Sequence, residues 1–357
     1  MADLFSPMTL MHGPAMKNRF MLAPLTNLQS HPDGTLSDDE FNWLTLRAKG
    51  GFGLTMTCAA HVQAVGQGFP GQLGVFGDQH LPGLTRLAAA IKAAGSVSAL
   101  QMHHAGNRSP KDIVGQPVCP SDDPETGSRG LSTGEVEQLI EDFVSAAVRA
   151  EKAGFDGVEI HGAHGYVLAQ FLSPEINKRK DRYGGSLENR SRIIFEIIDG
   201  VRSRCRKNFQ LGLRLSPERF GLKLAEIRDV AQAVMRDGRI DYLDMSLWDV
   251  FKEPVEEAFK GRSLMSYFTE LERGDVRLGV AGKITTPAIA SQMLREGADY
   301  VLIGRAAILH HDFAERARDP AFKPVALPVT AEYLANEGLG PAFVKYMSTW
   351  PGFVEAA

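Results

Sequence analysis

Cysteine is scarce: the chain of 357 residues has three, Cys58, Cys119 and Cys205, far apart in sequence. No C-x-x-C pair occurs, which speaks against zinc and iron–sulfur frameworks. An odd number of scattered thiols fits a reducing cytoplasm better than a disulfide scaffold. Long apolar runs are also missing; none approaches the ~18 residues that a membrane span needs. The start, MADLFSPMTLMHG, lacks the basic, apolar and cleavage regions of a secretion signal. Charge of one sign is lacking too. The 39 basic and 43 acidic residues leave a net charge of −4, and the basic ones are spread along the chain among the acidic ones. A nucleic-acid partner, which needs a concentrated positive surface, is not expected. Finally, no G-x-G-x-x-G joins an early strand directly to a helix: the one match, Gly66–Gly71, lies well past the Phe52–Cys58 segment, contains Pro70 and is followed by no helical pattern before Leu81, so an open dinucleotide-binding sheet is disfavoured.

What is present is alternation. Eight short apolar segments read as strands: Arg19–Leu25, Phe52–Cys58, Val97–His103, Phe155–His161, Gln210–Ser216, Ile240–Ser246, Val276–Ala281 and Asp299–Gly304. Helical patterns lie between them, at Leu81–Ala94, Thr133–Ala153, Glu188–Arg204, Leu222–Arg236 and Pro287–Arg295. Repeated β-then-α units imply parallel strands joined by right-handed crossovers, and closing them removes the sheet edges. The expected fold is therefore a single α/β domain, a (β/α)8 TIM barrel spanning 1–357, with 1–16 as lead-in and about 320–357 as a C-terminal extension. Two Gly/Pro/polar stretches, 104–132 and 162–187, extend the loops after strands three and four. Loops in that position lie on the active face of such a barrel.

The chemistry concentrates in Glu159-Ile160-His161-Gly162-Ala163-His164-Gly165-Tyr166, where strand four ends. Paired imidazole N–H groups suit an oxygen that gains negative charge. A nearby phenol holds its proton at neutral pH and can give it up on demand. Taken alone, two histidines read first as a hydrogen-bonding corner; a metal site would need an acidic or Cys partner that the His-x-x-His spacing does not supply.

Three segments carry a resemblance. They are KNRFMLAPLTN at 17–27, EIHGAHGYVLAQFLSPEINKRKDRYGGSLENRSR at 159–192 and ADYVLIGRAA at 298–307. Together they resemble the old yellow enzyme family of FMN-binding (β/α)8 barrels, in order from about residue 3 to 315. The resemblance implies an oxidoreductase that reduces activated C=C bonds of α,β-unsaturated carbonyl or nitro compounds. His161 and His164 would hold the substrate oxygen, and Tyr166 would protonate the α-carbon while non-covalent FMN delivers hydride to the β-carbon. NADPH or NADH would reduce the flavin at the same site in turn, so no separate nucleotide fold is needed.

The same resemblance implies the cofactor contacts. Ala23, Pro24, Leu25, Thr26, Ala59 and Gln101 would line the flavin, with the Thr26 hydroxyl toward O4 and the Gln101 amide toward its N3–H and O2 edge. Other branches carry Cys where this chain has Thr26. Arg214, in mid-strand, would neutralise the anionic N1 and O2 region; the alternative is an ion pair with Glu159 or Asp244. Ala281, Gly282 and Lys283 after strand seven, and Gly304 and Arg305 after strand eight, would hold the phosphate. Asp181–Arg192 reads as structural: a Gly184-Gly185 turn, then a helix capped by Ser186. Pocket walls are expected from 59–76, 104–132 and 247–268, with Phe69, Trp248 and Phe251 as candidates. Some family members use C-terminal residues to cover a partner subunit's site; here Tyr346, Trp350 and Phe353 would do so, or else pack on their own barrel. The expected partners are a small activated alkene and, where the tail is shared, a second copy of the chain.

Overall fold

Within each barrel strand the side chains alternate between two faces, and the alternation separates two cores. The computed structural model describes residues 3–319 and 321–355. Its eight barrel strands are β1 (Phe20–Leu22), β2 (Leu54–His61), β3 (Val97–His103), β4 (Gly157–Gly162), β5 (Gln210–Leu215), β6 (Tyr242–Ser246), β7 (Arg277–Ala281) and β8 (Tyr300–Ile303). Every neighbouring pair is parallel, and Phe20 pairs with Val301 to close the ring. The TIM barrel expected from the sequence is the observed fold.

Outward-facing residues such as Phe20, Leu100, Ile160, Leu213, Met245 and Val301 join a large core beneath the helices. Inward-facing Met21, Leu54, Met56, Val97, Ala99, Tyr242, Tyr300 and Leu302 form a second core inside the barrel. Two tyrosines fit there because β5 and β7 place glycines opposite them. A Cβ on Gly212 would lie 2.1 Å from the Tyr242 ring, and one on Gly279 would lie 2.2 Å from that of Tyr300. At the N-terminal mouth, Met8 and Met16 pair antiparallel and are buried in the same inner core. Asp241 anchors this hairpin by accepting from the backbone N–H of His12 at 2.8 Å.

The outer helices are α1 (Asp38–Lys49), α2 (Leu81–Ala93), α3 (Thr133–Lys152), α4 (Leu187–Arg204), α5 (Leu224–Asp237), α6 (Ser266–Thr269), α7 (Pro287–Arg295) and α8 (Arg305–Leu309). Ser132 and Glu135 form a reciprocal capping box on α3, and Ser186 and Thr286 cap α4 and α7. Two helices depart from the expected pattern. α1 buries Glu40, Thr45 and Arg47, so its core face does not read as an apolar stripe. α6 is a single turn. β1 also stops earlier than expected, because Pro24 has no N–H to continue the ladder. The loop 104–132 contains a small parallel ribbon, Val118–Cys119 with Arg129–Gly130. The C-terminal extension adds helices Ala331–Asn336 and Pro341–Ser348. It docks through Phe343, whose ring centroid lies 4.9 Å from that of Trp43 on α1.

Candidate active site

The inward positions that are apolar low in the barrel become polar toward its C-terminal end. Gln101 and His103 on β3, Glu159 and His161 on β4, Arg214 on β5, and Asp244 and Ser246 on β6 share that inner face by period-two spacing. Above them lie two adjoining cavities of about 550 and about 310 Å³, which share Pro24, Leu25, His164, Trp248 and Trp350 as walls. The larger is bounded by Ala23, Arg214, Ala281, Gly282, Gly304 and Arg305. The smaller is bounded by Thr26, Ala59, Gln101, His161 and Tyr166. Thus the catalytic and cofactor-contact residues singled out from the sequence all line these two cavities.

The turn after β4 is built on left-handed backbone. His164 has φ +58° and Gly165 φ +71°. Glycine is required at 165, since a Cβ there would sit 2.7 Å from the Phe220 ring. Arg219, Phe220 and Trp248, which wall the space beside His164, also have positive φ. Such strain gathers where a site must be held in shape.

This turn brings His161 Nε2 within 3.2 Å of His164 Nδ1, and places His164 Nε2 2.7 Å from Ser246 Oγ. Burial holds the pKa of both imidazoles well below the ordinary histidine value; His164 adds to the effect on His161, and Arg214 to that on His164. Both rings are therefore neutral hydrogen-bond donors rather than cations at neutral pH. Tyr166 stands edge-on to His103 at 4.3 Å and to His161 at 5.3 Å. Burial raises its pKa, against the opposing pull of the Arg108 guanidinium 4.7 Å over the ring. Arg108 also donates to the His164 carbonyl.

Arg214 is only 5% exposed and has no ion pair among the described residues; its Nε has no acceptor. Glu159 and Asp244 lie close enough to act on it electrostatically but not to pair with it, which corrects the ion-pair alternative. Burial raises the pKa of both acids, and Glu159 Oε2 and Asp244 Oδ2 have no donor. A buried guanidinium facing a cavity without a counter-ion suits an anionic or electron-rich ligand. Gln101 donates to Glu159 Oε1 at 2.7 Å, which leaves its oxygen and second N–H for the cavity. A Cβ built on Gly304 would meet only Leu25 and Ala23, at 3.5 and 3.9 Å, so the backbone there is open to a close-lying group. The neighbouring Arg305 has no ion pair among the described residues. Lys283, by contrast, is engaged by Asp249 at 2.9 Å.

The sequence pattern of the NADH:flavin oxidoreductase / NADH oxidase family matches residues 3–321. The chain belongs to this family. The flavin oxidoreductase is 36% identical over 334 residues to the probable NADH-dependent flavin oxidoreductase YqiG of Bacillus subtilis, covering 90% of this chain and 89% of that protein. It is 33% identical over 356 residues to an NADPH dehydrogenase of Bacillus subtilis, covering 97% and 99%. Among solved structures, the old yellow enzyme homologue from Zymomonas mobilis superposes with a TM-score of 0.82 at 26% identity, over 97% of this chain and 99% of that one. The chain is an oxidoreductase of the old yellow enzyme family.

Several residues of the oxidoreductase's cleft were not anticipated. His103 sits beneath Tyr166, with its Nδ1 accepting from Gln72 at 3.0 Å. Its spacing from Gln101 was the available signal. Ser246, Arg108 and Ile308 had none. Phe69 and Trp248 line the smaller cavity as expected, but Phe251 does not; it borders a separate depression and is 49% exposed. Loop 104–132 contributes Arg108 but none of the residues bounding either cavity. The C-terminal Tyr346 and Trp350 wall the smaller cavity of their own chain, and Phe353 is buried. The nearest thing to a metal-ligand cluster among the described residues is His311, Asp312 and Glu337, which does not include the histidine pair. Among those residues no helix is long and apolar enough to cross a membrane.

Proposed function

We propose that the chain is an FMN-dependent ene-reductase, using NADPH or NADH to reduce activated C=C bonds of α,β-unsaturated carbonyl or nitro compounds. The observation that carries this reading is the convergence, in one cleft, of two neutral imidazoles, a free phenol and a buried, unpaired guanidinium. FMN, when bound, would supply the two-electron transfer between nicotinamide and alkene. Arg214 would balance negative charge at the flavin ring. Gln101 and Thr26 would hydrogen-bond its polar edge, against an apolar wall of Ala23, Pro24, Leu25 and Ala59. Ala281, Gly282, Gly304 and Arg305 would receive the phosphate through backbone N–H groups and the Arg305 fork.

On the substrate, His161 and His164 would donate to the carbonyl or nitro oxygen and stabilise the charge it gains. Tyr166 would give its proton to the α-carbon; its raised pKa keeps that proton in place until a strongly basic carbon forms. Nicotinamide and alkene would occupy the cleft alternately, giving ping-pong kinetics. The whole of 1–357 would act as one FMN-binding domain, its tail helices closing the site, in a cytoplasmic setting that suits three free thiols.

The test is the visible spectrum of the purified protein under anaerobic conditions. A flavin band that NADPH or NADH bleaches and 2-cyclohexenone restores is the expected result. Bleaching without recovery would refute the substrate class, and no flavin after incubation with FMN would refute the reading as a whole.

A further inference from the structure

The histidine pair contains a conflict that the hydrogen bonds expose. The Ala163 N–H, which can only donate, points at His161 Nδ1 from 3.2 Å. A neutral His161 must then carry its proton on Nε2. That proton points at His164 Nδ1, 3.2 Å away, which must accept. A neutral His164 in turn carries its proton on Nε2, where Ser246 Oγ accepts it at 2.7 Å. In this arrangement the pair spends its inner N–H on itself, and an incoming oxygen would meet one donor instead of two.

We infer that Ser246 is a positioning residue that lets His164 change tautomer when an oxyanion binds. With a ligand oxygen between the rings, His164 must present a proton on Nδ1 and a lone pair on Nε2. Ser246 can follow, because a hydroxyl accepts from Nε2–H in one state and donates to bare Nε2 in the other. The Nε2 proton passes to Ser246 Oγ, which releases its own proton toward the cavity it borders, and another is taken up at Nδ1, so the ring stays neutral. No carbonyl or carboxylate could serve both states, since each only accepts. The chain supports the swap geometrically: Ser246 ends β6 with its side chain on the inner face, and borders the larger cavity beside His164. The backbone N–H of His164 is fixed separately, donating to Ser216 Oγ at 2.9 Å, so the ring can change partners without the turn moving.

This inference rests on the ene-reductase reading for its kinetic consequence but not for its tautomers. The experiment uses the full-length protein with ¹⁵N-labelled histidine, with and without p-nitrophenolate as an oxyanion probe. Protonated and bare ring nitrogens resonate far apart and report each tautomer directly. We expect His164 to be protonated at Nε2 without the probe and at Nδ1 with it. Ser246→Ala should leave a mixture in the bound state and lower kcat for 2-cyclohexenone roughly five- to tenfold, with a smaller change in KM, as befits one hydrogen bond made mainly in the transition state. Ser246→Thr should restore both. The inference is overturned if the phenolate does not bind, if His164 keeps one tautomer throughout, or if Ser246→Ala turns over like the parent. If the parent fails to reduce the enone while the tautomers still exchange, the reaction class is wrong and the relay stands.

Discussion

Replacing Tyr166 with phenylalanine isolates a single proton. The ring's contacts, edge-on to His103 and His161 and under Arg108, would all survive. The hydroxyl has no hydrogen-bond partner among the described residues, so its loss leaves no buried group unsatisfied. Stability should therefore change by no more than about 0.5 kcal/mol. Catalysis should change far more, because a positioned general acid contributes roughly 10²–10⁴-fold. The nicotinamide step needs no proton from Tyr166, so the two half-reactions should separate. Rapid-mixing absorbance should show bleaching by NADPH at nearly the parental rate, and recovery with 2-cyclohexenone slowed by a factor in that range. Equal slowing of both steps would mean that Tyr166 shapes the cleft rather than donating. Parental recovery would mean that the proton comes from elsewhere.

Arg214→Met removes the unpaired buried cation; FMN should then dissociate roughly ten- to a hundredfold more readily, measured by fluorescence titration of released flavin. Gly165→Ala forces a side chain into left-handed backbone and against Phe220, and should destabilise by about 1–3 kcal/mol in urea unfolding, with loss of enone reduction. His61 is held down to about 4 by burial, so the folded chain keeps it neutral while the unfolded chain protonates it below its usual 6.5. Its stabilisation is present above pH 6.5 and is lost as pH falls toward 4. His61→Gln should therefore lose less stability than the parent between pH 7 and 4, by at most about 3 kcal/mol; an unchanged difference across that range would contradict the assignment.

Much of the site was legible through the resemblance carried by 17–27, 159–192 and 298–307; the barrel's period of two explains why those residues, with His103 beside them, converge. Gln101 and His103, or Glu159 and His161, stand two apart on their strands, and a polar residue recurring at that interval on an otherwise apolar strand has only the barrel interior to face. The helices that began with a Ser or Thr cap and kept an apolar stripe were legible for similar reasons. α1 was not, because Glu40 and Arg47 occupy its buried side. Ser246 and Arg108 become informative only beside His164 and Tyr166, a proximity set by strand order and loop path. Phe251 illustrates the opposite error. Trp248 adopts φ +68° and lines the cleft, whereas Phe251, three residues later, borders a separate depression.

The hairpin formed by Met8 and Met16 at the foot of the barrel makes the interior a blind well. Glu159, Asp244 and Arg214 are buried above it, and of the three only Arg214 borders the upper cavities. Whatever fills the cleft is therefore also the stopper.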